Sequence, residues 1–355
     1  MVILAMGHVL AGFYLPEKNT TGDAREKSPV YDQMPNKTEF WTDHKGAWTT
    51  HFEPYFHWRR DEYQGVTTNV NAHGVRKTVR PQGFKSDRKL FMLGGSTMWG
   101  TGVEDTHTVP AYLQKYYGDA FEVINYGESG YTSTQELNYL MYQLAKGNIP
   151  DVVVFYDGVN DGYAGVYSPA VPRDPENLRA RFSNQKEEAD DGFLVKTYKN
   201  SNYGKLVTHL TRKRGKEKFA EWDKNIKPDI YKNATAVLDF YEANIRQASA
   251  LARDYGFKVY FFWQPHLYSM TRKVNTYEQK IIDRASPILI ESQQVLYDLA
   301  KARFSNREDE SLFFLGNVFD SVDEAIYIDW HHLGANGNAI IAETIHHALL
   351  GKGVH

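Results

Sequence analysis

The chain has 355 residues, 42% hydrophobic and 24% charged, with a formal net charge of −3. That is the composition of an ordinary globular protein with room for one large core, or for a core carrying an insertion, and the charge gives no general pull towards nucleic acid or an anionic membrane. No cysteine is present, so disulfides, thiolate catalysis and Cys-ligated zinc are excluded.

In chain order, Met1 to Leu15 is mostly apolar, has no preceding Lys or Arg, and is shorter than the ~20 residues a spanning helix needs. Two readings stay open for it: the end of a membrane anchor or secretion segment, or an element packed on the domain. Phe13, after Leu10-Ala11-Gly12, stands where lipidation would require cysteine. Residues 16–85 are polar and aromatic without sustained periodicity, so residues 1–85 read as an apolar segment followed by an aromatic-rich extension. A short strand and turn is expected over Val66–Val75.

From residue 86 to 350 the pattern becomes strand–helix–strand. Apolar runs at Lys89–Gly94, Phe121–Asn125, Val152–Tyr156 and Lys258–Trp263 read as buried strands. Helical spacing is expected over Thr132–Ala145, behind the capping-box candidates Thr132-x-x-Gln135 and Ser133-x-x-Glu136. Further helices are expected over Ala234–Asp254, stopped by Gly256, over Thr276–Arg303 and over Ala335–Leu350. Such alternation predicts an α/β protein with a parallel sheet covered on both faces. Residues 163 to about 232 break the rhythm with Pro169, Pro172, Pro175 and the basic run Arg212–Lys216, and read as an insertion over the site.

Four segments carry candidate chemistry. Ser96 follows an apolar run and two glycines, where a strand should end; its hydroxyl needs a base to become a nucleophile. Asp329-Trp330-His331-His332 can supply one. An aspartate three residues before a histidine can accept from the ring Nδ1–H and leave Nε2 free for a proton. His331 is the rival, but lacks that offset. Asn125–Gly130 and Asp157–Asp161 also follow strand-like runs, at the strand ends where open α/β sheets place their sites. Taken singly, each has a plainer reading: a glycine-rich loop at Ser96, a helix cap at Asp329, a turn at Asn160-Asp161-Gly162.

Serine, glycine, asparagine and histidine in this order resemble the SGNH (GDSL-type) hydrolases. The resemblance implies a flavodoxin-like three-layer α/β/α sandwich with a parallel five-stranded sheet, and a serine esterase working through an acyl-serine intermediate without a cofactor. It implies Ser96, His332 and Asp329 as the catalytic residues. The Ser96 N–H, Gly130 and Asn160 would form the oxyanion hole, with Gly127 as the runner-up glycine. Asp161 would brace its loop. The turn Asn71-x-x-Gly74-x-Arg76 is similar to one in bacterial members associated with surface polysaccharides. The expected substrate is a small-molecule or polysaccharide ester carrying short acyl groups such as acetyl, and the expected location is extracytoplasmic or membrane-anchored rather than cytoplasmic. Trp99 and Tyr131, close behind two of the blocks, are candidates for the substrate wall. Two alternatives remain: an acyltransferase using the same site on a polysaccharide, and a catalytically idle polysaccharide-binding or assembly protein. An α/β-hydrolase elbow is disfavoured by Met98, where its last glycine would stand. A metal site built from Asp329, His331, His332 and His266 or His107 lacks a helical His-x-x-x-His pairing.

Overall fold

Short elements open the computed structural model, which describes residues 23–167, 229–305 and 311–355. After two 3₁₀ turns come helix α1 (Lys37–Gly46), the antiparallel hairpin β1 (Thr50–Glu53) and β2 (His57–Arg60), and the small pair β3 (Tyr63–Gln64) and β4 (Asn69–Val70). The α/β body follows as β5 (Lys89–Gly94), α2 (Ser96–Trp99), α3 (Val109–Tyr117), β6 (Glu122–Asn125), α4 (Ser133–Ala145), β7 (Val152–Asp157) and α5 (Val159–Tyr167). It continues with α6 (Ile230–Tyr255), β8 (Lys258–Trp263), α7 (Thr276–Arg284), α8 (Pro287–Ser305), β9 (Leu312–Phe314) and α9 (Ala335–Gly351).

Strands β5 to β9 form one parallel sheet in the order β6-β5-β7-β8-β9. That is the 2-1-3-4-5 order of flavodoxin-like folds, whose ligand crevice lies where the order reverses, at the carboxyl ends of the first and third strands. β5 and β7 are those strands here. Their residues are nearly all buried because helices cover both faces, which is why they read as continuous apolar runs. Leu90, Met92, Val152, Val154 and Phe262 meet Val109 and Leu113 of α3 and Ile341, Ile345 and Leu349 of α9. The opposite face carries Phe155 and Phe261, stacked at 5.1 Å, and Trp263 set edge-on to Tyr241 of α6 at 4.9 Å.

The N-terminal residues are tied into this body rather than strung beside it. Ser28 Oγ donates to the Tyr327 carbonyl at 3.0 Å and Tyr31 Oη to that of Gly102 at 2.6 Å, while the Gly102 N–H donates to His44 Nε2 at 3.0 Å. The Asn71–Arg76 turn has a clear cause. Asn71 Oδ1 accepts from the His73 and Val75 N–H groups, and the buried Arg76 bonds Asp105 and the carbonyls of Trp99, Gly100 and Val103. A guanidinium thus fastens the turn to the back of the Ser96 helix.

One sheet edge is protected. The outward Val123 N–H donates to Gln114 Oε1 at 2.9 Å, and Arg76 makes a bridge to Asn125.

Several expectations are corrected. The stretch Thr276–Arg303 is two helices, separated by Ala285-Ser286 ahead of Pro287; proline at the second helix's first position and the extended backbone of Ala285 break the first one. The helix expected from Ala234 begins at Ile230, and α5 runs to Tyr167, so the insertion's expected limits of 163 and 232 both fall within helices. The rest of that insertion, including Pro169, Pro172, Pro175 and Arg212–Lys216, and the apolar Met1–Leu15 lie outside the described residues. Among the described residues no helix is long and apolar enough to cross a membrane.

Candidate active site

Ser96 is the first residue of α2, immediately after β5. A Cβ at Gly95 would press on the Asn160 amide, so the glycine leaves room for that side chain. The turn therefore brings Asn160, just past β7, against the serine loop. At the first helical position the Ser96 N–H has no intrahelical acceptor.

On the other side, the loop before α9 carries Asp329 and His332. Asp329 Oδ1 accepts the backbone N–H groups of His331 at 3.0 Å and His332 at 2.8 Å, and Oδ2 sits 2.6 Å from His332 Nδ1. His332 Nε2 lies 2.7 Å from Ser96 Oγ. The line runs carboxylate, imidazole, hydroxyl. With Nδ1–H committed to Asp329, Nε2 is the acceptor for the serine proton. Burial pushes the Asp329 carboxyl up, but the imidazoles of His332 and His331 and the bonds from His332 outweigh it and hold the group well below the ordinary carboxylate range. His331 makes no such line. Its ring packs 4.3 Å from Trp330, and burial followed by the neighbouring His332 depresses its basicity.

The donors come from three loops. Asn160 Nδ2 donates one hydrogen to the Tyr131 carbonyl at 2.8 Å, which leaves its second for a ligand. Between the two glycines of the second block, the Gly127 N–H is already given to Asn125 Oδ1 at 3.0 Å. That of Gly130 has no hydrogen-bond acceptor among the described residues, and its φ of +78° is one glycine adopts without strain. Asp161 accepts from the Ser133 hydroxyl at 2.6 Å and from its N–H at 3.1 Å, tying the Asn160 loop to the start of α4.

Trp99 and Tyr131 do not form a substrate wall. Trp99 is fully buried, with the guanidinium carbons of Arg60 and Arg76 over its ring at 4.2 and 4.4 Å. Tyr131 is also buried, its hydroxyl donating to the Trp58 carbonyl. Each ring faces inward because the extension covers it. The aromatic surface beside the site is instead Trp330, stacked on Tyr268 at 5.4 Å and 6.2 Å from the exposed ring of Tyr163 on α5. Tyr163 lies one helical turn beyond Asn160, a spacing that could have pointed to it.

Asp329, His331 and His332 could geometrically hold a cation. The donor set fits poorly, since both ring nitrogens of His332 and both oxygens of Asp329 are already engaged. His266 is buried, its Nδ1 accepting from the Tyr268 N–H, and burial pushes it down to about 3. His107 instead faces Glu104 at 3.5 Å.

Beneath Asn160 lies a second group of acids that the sequence did not announce. Asp157 ends β7, and the fully buried Glu136 of α4 lies against it, beside the Tyr241 hydroxyl and near Asp161. Burial, then Asp161, pushes Asp157 up to about 8. Burial and both aspartates push Glu136 well above its ordinary value. Glu136 is therefore not a cap. Gln135 takes that place, accepting from the Thr132 N–H at 3.2 Å.

Fold and site together define a flavodoxin-like α/β protein with a hydrogen-bonded serine–histidine–aspartate array at its switch point. No family model and no curated protein matches the sequence. Solved structures similar to it include an acetyl xylan esterase, 16% identical, with 73% of this chain and 98% of that one covered and a TM-score of 0.38. A carbohydrate acetylesterase family member from Sinorhizobium meliloti is 15% identical, with 74% and 99% covered and a TM-score of 0.37. A member of the lipolytic protein G-D-S-L family from Veillonella parvula is 10% identical, with 73% and 97% covered and a TM-score of 0.36. Identities this low say nothing about chemistry, which the side chains of this chain must carry.

Proposed function

We propose that the protein is a serine esterase of the SGNH type that hydrolyses short acyl esters, acetyl first among them, on a carbohydrate. The observation that carries the reading is the unbroken line Asp329 Oδ2–His332 Nδ1 at 2.6 Å and His332 Nε2–Ser96 Oγ at 2.7 Å. Ser96 Oγ attacks the ester carbonyl as its proton passes to Nε2, and Asp329 steadies the imidazolium. The oxyanion is met by the Ser96 and Gly130 N–H groups and the spare Asn160 hydrogen. Collapse breaks the C–O bond to the alcohol, which leaves with the proton from Nε2. Water then gives a proton to Nε2 and attacks the acyl-serine; the second collapse returns that proton to Ser96 and frees the acid. Trp330 and Tyr163 offer ring faces suited to the C–H side of a sugar.

A fluorophosphonate probe should label Ser96, read by mass spectrometry of the modified peptide, and Ser96→Ala should lose p-nitrophenyl acetate hydrolysis while staying folded. Label on another serine with Ser96 unmodified would overturn the assignment. The acyl preference is read from a series of acetyl to longer-chain esters, and the alcohol from acetylated sugars.

A further inference from the structure

Arg25 belongs to a 3₁₀ turn far from the α/β motifs in sequence, yet its guanidinium reaches the candidate site. Asp23 holds it by three bonds: Oδ1 accepts from the Arg25 N–H at 3.0 Å and from Nε at 2.9 Å, and Oδ2 from Nη2 at 2.8 Å. The guanidinium carbon lies over Trp41 at 5.0 Å and Trp48 at 5.2 Å. Glu26 caps the turn by accepting from the Asp23 N–H at 2.7 Å, and Ser28 fastens it to the carbonyl of Tyr327, two residues before Asp329. So restrained, Nη1 faces Asp329 Oδ2 at 3.7 Å, the same oxygen that meets His332 Nδ1. That is too long for a hydrogen bond, so the contact is one of charge.

We propose that Arg25, held by Asp23, is a positioning residue for the reaction, which sets how readily the Asp329–His332 couple takes up a proton. The inference rests on the serine-esterase reading. Asp329 favours the imidazolium through its negative charge, and a cation beside the same carboxylate offsets part of that field. The base then stays neutral, and the enzyme active, to lower pH. The other titratable groups facing this corner are Glu26 with its partner Lys45, the hydroxyls of Tyr31 and Tyr277, and the rings of His331 and His44. None of them changes in the variants below.

The test is the acid limb of kcat/KM for p-nitrophenyl acetate, which reports protonation of the essential base. Arg25→Ala leaves Asp23 and Asp329 both negative and should move the limb up by roughly 0.5–1 pH unit, the size expected of one charge several ångströms away in a partly wet site. Asp23→Asn frees the cation from its counter-ion and should move the limb down, and Arg25→Lys should restore it nearly to that of the wild type. A merely structural turn would not give shifts of opposite sign. If Arg25→Ala does not fold, the downward shift in Asp23→Asn carries the test alone. Unmoved limbs, or shifts in the same direction, overturn the proposal provided Ser96→Ala is inactive; an active Ser96→Ala overturns the esterase reading instead.

Discussion

Two carboxyl sites in this molecule, one at the mouth of the crevice and one beneath it, are driven in opposite directions. Asp329 receives two backbone N–H groups and an imidazole and faces a guanidinium, and it is held below the ordinary range. Asp157 and Glu136 face each other in the interior, and both are pushed up. Removal from water acts the same way on all three. At Asp329 the donors and cations overcome it, whereas at Asp157 and Glu136 burial is the larger cause and nearby acids, Asp161 for both, add to it.

The largest test removes the charge at the mouth. Asp329→Asn should cut kcat by a factor of about 10⁴, because the amide favours the wrong imidazole tautomer; a loss under tenfold would mean that the charge at the mouth is dispensable. Asn160→Ala, which strips the donor sitting between the two acid sites, should lower kcat roughly 10²–10³-fold with little change in KM, since an oxyanion donor tightens only as charge develops. A raised KM with normal kcat would make Asn160 a binding or turn residue.

The interior site is tested by stability. An acid whose folded value is raised binds its proton more tightly in the native state, so stability is full below its unfolded value near 3.8 and is lost as pH rises through the folded value of about 8. Asp157→Asn cannot ionise, so its stability relative to the wild type should be higher at pH 9 than at pH 5 by at least about 1 kcal/mol, or roughly 2–4 °C in Tm, because the wild type loses stability progressively between its unfolded and folded values. An equal effect at both pH values would show that Asp157 is not the group that titrates. Asp329 has the reverse sign: its contribution is present above its unfolded value and lost as pH falls further into the acid range. The smallest effect is expected at His331→Ala, which should retain most of the activity that His332→Ala loses; equal losses would undo the assignment of His332 as the base.

Much of this was legible because it is local. The offset from Asp329 to His332 lies within one turn of chain, and the first four strands of the sheet announce themselves as apolar runs; β9 is only three residues long and gives too short a signal. What could not be read depends on contacts between distant residues. Arg60 pairs with the buried Glu128, and Arg76 with Asp105, across 68 and 29 positions. Nothing near Trp99 says that two guanidinium groups will cover it. Glu136 was misread because a carboxylate in a helix's first turn ordinarily serves the backbone, and only the packing of α4 on β7 turns it inward.

The capped edge of β6 bears on what can pair with the sheet. Val123 spends its outward N–H on Gln114, and Asn125 meets Arg76, so the rim offers little unpaired backbone to an incoming extended chain. Neither a peptide nor the same strand of another copy has a ladder to extend there. That edge is therefore closed to strand addition, and growth of the sheet by pairing there is blocked by the Gln114 side chain and the Arg76 bridge rather than by charge or proline.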